Sequence, residues 1–468
     1  MPTESRLRSV GVVLAGGVGQ RVGLNTPKQL IKIAGKTILE HTLGLFDRSP
    51  EIDEIIVLMT PGFTSDVEDI VARGGFGKVS QIIEGGESRT ETTWRALKAL
   101  GPHECNVLLH DAVRPLLEPR IITECVNALQ TYQAVDVAIP SSDTVVVAAP
   151  GPRGEIIRDI PDRSRIKRGQ TPQCFRLSVI REAYERAFND PDFDKHPATD
   201  DCGVVLRYLP DVPIVLVPGS EHNIKVTHPV DVHIADKLFQ LAAATAPKPT
   251  PQAYREALHG RSLVVFGGSY GIGADIVDLA GSYGAQVHSF SRTQNGVRVE
   301  DYASVAKALA EVGHVDYVVN TAGVLHMGKL AEVTDDTIAD TVNVNYLGPV
   351  NVARASYEYL RASRGRLLLY TSSSYTRGRA NYSLYSSTKA AVVNLTQALA
   401  DEWATDGIRV NCVNPERTST PMRERAFGEE PAHTLLSPRA VAQTSLDVLI
   451  SDLTGQVIDV RLDGVITV

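Results

Sequence analysis

LAGGVGQR, residues 14–21, continues the apolar run VGVVL at 10–14 and is followed by PKQ at 27–29. A strand ending in Gly16, Gly17 and Gly19 brings bare backbone N–H groups to a polyphosphate with no Cβ in the way, and Arg21 and Lys28 add positive charge beside it. The pattern predicts a nucleoside triphosphate site at the carboxyl end of the first strand of an α/β domain, with Leu14 and Ala15 leading into the turn. The chemistry it implies is nucleotidyl transfer. A lone glycine turn is equally well a tight turn, and it is the combination with Arg21 and PKQ that is specific.

A second stretch divides the chain. Residues 241–260 read LAAATAPKPTPQAYREALHG, with Pro247, Pro249 and Pro251 spaced two apart. This composition predicts an extended, semi-rigid connector at 242–256 between domains at 1–241 and 257–468. On both sides short β-branched runs alternate with longer amphipathic stretches, so each half is expected to be an α/β domain with a Rossmann-like parallel sheet and ligands at the carboxyl ends of its strands. The halves are not a repeat, because their glycine turns and later motifs differ. At 468 residues, with 43% hydrophobic and 22% charged residues, each half is long enough to bury its own core. The net charge of -8 argues against nucleic acid or an anionic membrane as partner. No run of eighteen apolar residues and no signal-peptide core are present, so a cytoplasmic location is expected. The five cysteines have no metal-ligand spacing and are expected to be free, buried thiols.

The first half holds further candidates. QIIEGGESRTETTWRAL at 81–97 supplies a second glycine turn, Gly85 and Gly86, followed by Arg89 and Thr92. NVLLHDAVRP at 106–115 reads as a strand ending in Asp111, with Arg114 after it. A carboxylate at a strand end beside triphosphate donors suits Mg²⁺, although Asp111 as a cap of the next helix is the alternative. The turn PGPRG at 150–154, between IPSSDTVVVA and EIIRDIPDRSRIKRGQTPQCF, predicts a hairpin arm. Farther on, ATDDCGVV at 198–205 precedes EHNIKVTHPVD at 221–231, which places Lys225 on an expected short strand after Asn223.

Over residues 8–238 these motifs resemble the sugar-phosphate nucleotidyltransferases, in particular the cytidylyltransferases that activate 2-C-methyl-D-erythritol 4-phosphate or ribitol 5-phosphate. The resemblance implies CTP as donor, with Gly85, Arg89 and Thr92 near the cytosine and Asp111 on magnesium. It also implies that Arg21, Lys28 and Lys225 stabilise charge at the α-phosphate, and that Arg114, Thr144 and Arg163 hold the acceptor. In this family the arm crosses to a partner subunit, which implies a homodimer and an Arg163 acting in trans. A solvated charge within DRSRIKR is the alternative for Arg163.

The second half opens on VVFGGSYGIG, with Gly267, Gly271, Ile272 and Gly273 in a GxxxGxG turn. The next predicted strand, AQVHSFSRT, ends in Ser291 and Arg292 with no acidic residue to grip a ribose hydroxyl, which favours a 2′-phosphate and hence NADPH. VDYVVNTAGV supplies Asn320, Ala322 and Gly323, NVNYLG supplies Asn345, LLLYTSSS supplies Ser372, and YSSTK supplies Tyr385 and Lys389. On a helix Tyr385 and Lys389 share a face one turn apart, so the ammonium is expected to lower the phenol's pKa. These motifs resemble the short-chain dehydrogenase/reductases over residues 260–468. The resemblance implies Tyr385 as general acid, Ser372 orienting a carbonyl, and Asn345 with Lys389 in a proton relay. Thr321 stands where that family has a second asparagine, a change expected to be tolerated. The loop after Pro415 lacks the family's glycine, and the neighbours Ser373 and Ser374 leave the catalytic hydroxyl ambiguous. Arg417, Arg423 and Arg425 are either charge for a phosphorylated substrate or a solvated basic stretch.

Fusion narrows the substrate. A reductase tied to a cytidylyltransferase is best explained if the first product is the second enzyme's acceptor, and ribitol 5-phosphate arises by simple ketone reduction of ribulose 5-phosphate. The whole chain therefore resembles bifunctional ribulose 5-phosphate reductase/CDP-ribitol pyrophosphorylases, which implies CTP and a pentose phosphate as ligands and a role in capsule or teichoic acid synthesis. A homodimer through the arm is expected, with the reductase domain as a second candidate dimer face. Three alternatives stand: a methylerythritol phosphate cytidylyltransferase fused to an unrelated reductase, another ketose phosphate as substrate, and an inactive second domain.

Overall fold

The strand Ser9–Ala15 is buried at every position and forms the centre of the first unit's sheet. It runs parallel to Glu54–Met59 on one side and to Asn106–Asp111 on the other, so the crevice at its carboxyl end opens where the connections part to opposite faces. Alternation along the strand sends Val10, Val12 and Leu14 into one core and Val13 and Ala15 into the other. In this computed structural model residues 6–16, 27–195, 198–244 and 249–462 are described, and the chain divides into two compact units, Met1–Leu238 and Phe239–Val468.

The eight-stranded sheet of the first unit is mixed. Beyond Asn106–Asp111 comes the antiparallel strand Gln173–Arg176, and beyond that Ala134–Pro140, which pairs with Lys167–Gly169 antiparallel and with Ile214–Pro218 parallel. The strands Val147–Gly151 and Gly154–Asp159 leave this sheet as a separate hairpin, as the PGPRG turn predicts. Val145, Val146, Val147, Ile156, Ile157 and Ile160 on and beside it are between 40% and 62% exposed. Six β-branched apolar side chains at that exposure make the arm a surface patch rather than a part of the core.

The second unit carries six parallel strands. Ser262–Phe266 lies between Gln286–Phe290 and Tyr317–Asn320, and Arg366–Tyr370, Arg409–Pro415 and Val457–Val460 continue the sheet. Its two faces are again covered, Val264 and Phe266 entering one core and Leu263 and Val265 the other.

The expected connector differs from the structure at both ends. A helix, Pro229–Ala244, runs into its start. Another, Pro251–Leu258, occupies its end, where Thr250 caps the first turn by accepting from Ala253 N at 3.2 Å. Tyr254 and Leu258, four residues apart on that helix, are buried in the second unit's core. Proline at the first helical position costs no hydrogen bond, so the last proline of the run starts a helix instead of extending the chain.

Candidate active sites

In the first unit the two glycine turns meet. A Cβ at Gly85 would lie 3.0 Å from the Cα of Gly16, so bare backbone is what allows this approach. Thr92 seals the junction: its hydroxyl donates to Ser88 O at 2.8 Å and accepts from Gly86 N at 3.0 Å, at the start of the helix Arg89–Ala99. Leu14 and Ala15 end the strand, and Ala15 O accepts from the buried amide of Gln29, which also donates to Thr60 Oγ1 at 3.0 Å. PKQ therefore braces the turn through Gln29, while Lys28 opens the short 3-10 helix Lys28–Leu30. Gly17, Gly19 and Arg21 lie outside the described residues.

Asp111, at the end of a strand buried throughout, collects the cations. Lys225 Nζ is 2.9 Å from its Oδ2, Arg114 Nε 3.6 Å from the same oxygen, and Arg89 Nε 3.7 Å from Oδ1. Burial pushes the carboxyl's pKa up, but the fields of Lys225, Arg89 and Arg114 outweigh it and hold the group well below the usual carboxylate range. Lys225 is not on a strand. Its irregular segment is pinned instead by the buried Asn223, which donates to Thr171 O at 2.9 Å, and by Val226 N donating to Val113 O at 2.9 Å. Arg114 also donates to Asn223 O at 2.8 Å, so it belongs to this cluster. Thr144 and Arg163 stand apart from it, exposed on either side of the hairpin, where Arg163 donates to Ser142 O at 3.2 Å.

Sequence reasoning passed over Asp201. This fully buried carboxylate takes Arg89 Nη1 at 2.6 Å and the Tyr184 hydroxyl at 2.6 Å, and with Asp111 it raises the arginine's pKa against the opposing effect of burial. ATDD in the quoted segment 198–205 was the available signal.

In the second unit the glycine turn leads into the helix Gly271–Ser282. Gly267 has φ +84°, and a Cβ there would lie 2.6 Å from Ala322 N. Thr321 does what its neighbours need: its hydroxyl donates to Phe266 O at 3.0 Å and lies 3.1 Å from Gly267 O. Gly267, Gly271, Ile272, Gly273, Ser291, Arg292, Ala322 and Gly323 line one cavity of about 180 Å³ that reaches Tyr385 and Lys389. Asn320 sits behind the wall, accepting from Ala322 N at 3.2 Å.

Tyr385 and Lys389 are buried one turn apart on the helix Ser383–Glu402. Asn345 lies in a π-turn, Asn343–Leu347, where its Oδ1 accepts from Val324 N at 2.9 Å and its Nδ2 donates to Val324 O at 2.8 Å. Ser372 lines the same cavity as Tyr385 and acts to lower its pKa, and Ser374 is turned toward Ser372, 3.3 Å from its hydroxyl. The expected effect of Lys389 on Tyr385 is not what the geometry gives. The ammonium lies over the ring, 5.6 Å from its centroid, and donates to Tyr370 O at 3.0 Å. Burial pushes the phenol up to about 12 despite Ser372, and burial brings Lys389 down to about 8. A phenol with that pKa is protonated near neutrality, the state a proton donor needs.

A second cavity, about 330 Å³, shares Tyr385 with the first and is lined by Ser372, Arg379, Arg417 and Arg423. Arg423 is clasped by Glu430 through two bonds of 2.6 and 2.9 Å. Arg379 was missed by sequence reasoning, since no motif spacing ties its loop to the site.

A glycine-turn nucleotide site in one unit and a Ser–Tyr–Lys reductase site in the other define a bifunctional enzyme, a cytidylyltransferase and a short-chain reductase in one chain. The 2-C-methyl-D-erythritol 4-phosphate cytidylyltransferase family matches residues 10–240, and the short chain dehydrogenase family matches residues 297–431. A bifunctional ribulose 5-phosphate reductase/CDP-ribitol pyrophosphorylase of Haemophilus influenzae is 48% identical over 97% of this chain and 96% of its own length. The 2-C-methyl-D-erythritol 4-phosphate cytidylyltransferase of Thermobifida fusca is 50% identical over 52% of this chain and 98% of its own. Among solved structures, 4-diphosphocytidyl-2C-methyl-D-erythritol synthase from Anaerococcus prevotii covers 50% of this chain and 96% of its own at 29% identity and a TM-score of 0.44. The chain belongs to the family of bifunctional ribulose 5-phosphate reductase/CDP-ribitol pyrophosphorylases.

Proposed function

We propose that the chain makes CDP-ribitol from D-ribulose 5-phosphate in two steps: NADPH-dependent reduction to D-ribitol 5-phosphate, then cytidylyl transfer from CTP with release of pyrophosphate. The observation that carries this reading is a single relative of that description matching both units end to end. NADPH supplies a hydride to the ketone carbon, and Arg292 at the rim of the cofactor cavity suits its 2′-phosphate. Tyr385 gives its proton to the developing alkoxide, Ser372 orients the carbonyl through its hydroxyl, and Lys389 and Asn345 carry the relay that reprotonates the phenol.

In the second step the phosphate oxygen of ribitol 5-phosphate forms a bond to the α-phosphorus of CTP as the bond to pyrophosphate breaks. Arg21, Lys28 and Lys225 are assigned to the charge that builds there, and Gly85, Arg89 and Thr92 to the cytosine end. Arg114, Thr144 and Arg163 are assigned to the acceptor. Asp111 suits magnesium: among the described residues the one cation within 4 Å of its Oδ1 is Arg89, at 3.7 Å, and Mg²⁺ commonly takes one or two protein carboxylates with phosphates supplying the rest. The apolar hairpin supports a homodimer through the arm, and the product would feed polyribitol-phosphate polymers. No helix among the described residues is long and apolar enough to cross a membrane, which is compatible with cytoplasmic work on soluble substrates.

Incubation with ribulose 5-phosphate, NADPH, CTP and Mg²⁺ should yield the mass of CDP-ribitol, and its absence would defeat the reading. The likeness of the first unit to the Thermobifida fusca enzyme favours a second reading, in which the acceptor is 2-C-methyl-D-erythritol 4-phosphate. Competition between the two acceptors for limiting CTP decides between them.

A further inference from the structure

The reductase half must hold a phosphorylated ketose, and the cavity on the substrate side of Tyr385 has three arginines in its wall. They are not equivalent. Arg423 has its guanidinium matched by Glu430 in a two-bond pair, and that carboxyl is held below its ordinary range chiefly by this hydrogen bonding. Among the described residues no carboxylate lies within 4 Å of the guanidinium of Arg379 or Arg417. The cavity's other acid, Glu416, has its carboxylate accepting from Leu462 N at 3.1 Å. Three arginines against Glu416 and Glu430 leave the wall one net positive charge, and Arg379 and Arg417 are the guanidiniums without a close carboxylate, Arg417 feeling Glu430 only through its field.

Both are presented by fixed backbone. The segment with Arg379 is tied to the catalytic helix through Arg379 N and the Ser386 hydroxyl at 3.4 Å. Two residues on, Asn381 takes φ +68° and its carbonyl accepts from Gly328 N at 2.7 Å. Arg417 O accepts from Leu436 N at 2.7 Å, and Ser419 N returns a bond to Leu436 O at 2.9 Å. Two guanidiniums with no carboxylate within 4 Å among the described residues, on anchored loops and sharing a cavity with Tyr385, suit a phosphate dianion a few carbons from the reacting ketone.

We propose that Arg379 and Arg417 bind the phosphate of the ketose phosphate during reduction, and that Arg423 shapes the wall through Glu430 without taking the phosphate. The proposal rests on the functional reading above. Its test follows NADPH oxidation by the full-length chain with D-ribulose 5-phosphate and with unphosphorylated D-ribulose, for the wild type, Arg379→Gln, Arg417→Gln and the double variant. The double variant should raise KM for the phosphorylated ketose about ten- to hundredfold while leaving kcat within a few-fold and the reaction of ribulose unchanged. Competitive inhibition by inorganic phosphate should weaken in parallel, and Arg379→Lys should restore part of the affinity. A wild type inert toward ribulose 5-phosphate defeats the functional reading and this proposal with it. An active wild type whose double variant keeps its KM, or loses both ketoses equally, defeats this proposal alone.

Discussion

Tyr385 lines both cavities of the second unit, the position a proton donor between cofactor and ketone needs. Tyr385→Phe should lower NADPH oxidation by a hundredfold or more, yet leave pyrophosphate release from supplied ribitol 5-phosphate within about twofold, since the two sites belong to separate compact units. Assaying both activities on one preparation checks it, and parallel losses would contradict it. His110 sets a different test. It is fully buried between Thr171 Oγ1 at 3.0 Å and Arg114 O at 3.1 Å, and burial lowers its pKa from 6.5 to about 4. The unfolded chain therefore takes up this proton first as pH falls below 6.5. The stabilisation is complete above that pH and drains away down to pH 4, about 3 kcal/mol in all. His41, also lowered to about 4, adds to the same slope. Denaturant unfolding of a Trp403→Phe chain, followed by Trp94 in the first unit, should lose stability as pH drops from 6.5 to 5, and His110→Gln should take out about half of that slope. The placement of Tyr385, Lys389 and Asp111 was legible where a motif carried it, a tyrosine and lysine one turn apart on a helix and an aspartate at a strand end. Asp201 was not, because it acts through Arg89, far away in sequence, and Arg379 was not, because no motif spacing ties its loop to the site.

At the level of elements, strands leading into glycine were legible because a buried parallel strand reads as an apolar run and the close approach at its end needs glycine, as in 10–16 and 262–273. The segment 242–256 misled, since alternate prolines suggest extension while TPQAYREAL also carries a threonine cap, proline at the first helical position and apolar residues four apart. Tertiary burial decides between the two. Leu258→Ala should accordingly destabilise the second unit by about 2–5 kcal/mol, the usual cost of a buried leucine. In a Trp94→Phe background, Trp403 fluorescence during denaturant unfolding gives that number, and a change under about 0.5 kcal/mol would mean the helix is a dispensable tether. The strand Gln286–Phe290 makes a second prediction at this scale. Arg292, just past its end on the cavity rim, should distinguish the cofactors: Arg292→Asp repels a 2′-phosphate and offers an acceptor to a ribose hydroxyl. The ratio of kcat/KM for NADPH over NADH should fall at least tenfold, and an unchanged ratio would place the discrimination elsewhere.

For the whole molecule, the open question is whether one chain can complete its own cytidylyl site. Asp111, Arg114, Lys225 and Arg89 form one cluster, whereas Thr144 and Arg163 flank a hairpin whose apolar side chains are exposed. A two-stranded hairpin has little core of its own and gains stability by covering its apolar face, which a second copy of the chain would do symmetrically. The expectation is then that Arg163 serves the neighbour's acceptor site. Complementation tests it: an Arg163→Ala chain and a Lys225→Ala chain, each nearly inactive in nucleotidyl transfer, are mixed under conditions that allow subunits to exchange. If the site is shared, each mixed dimer has one centre with both residues intact and one with neither. Half the dimers being mixed, up to about a quarter of wild-type activity should return. If each chain builds its own site, every centre carries one defect and nothing returns. Exchange verified by differently tagged subunits, with no recovery of pyrophosphate release, would rule out the shared site and assign Arg163 to its own chain.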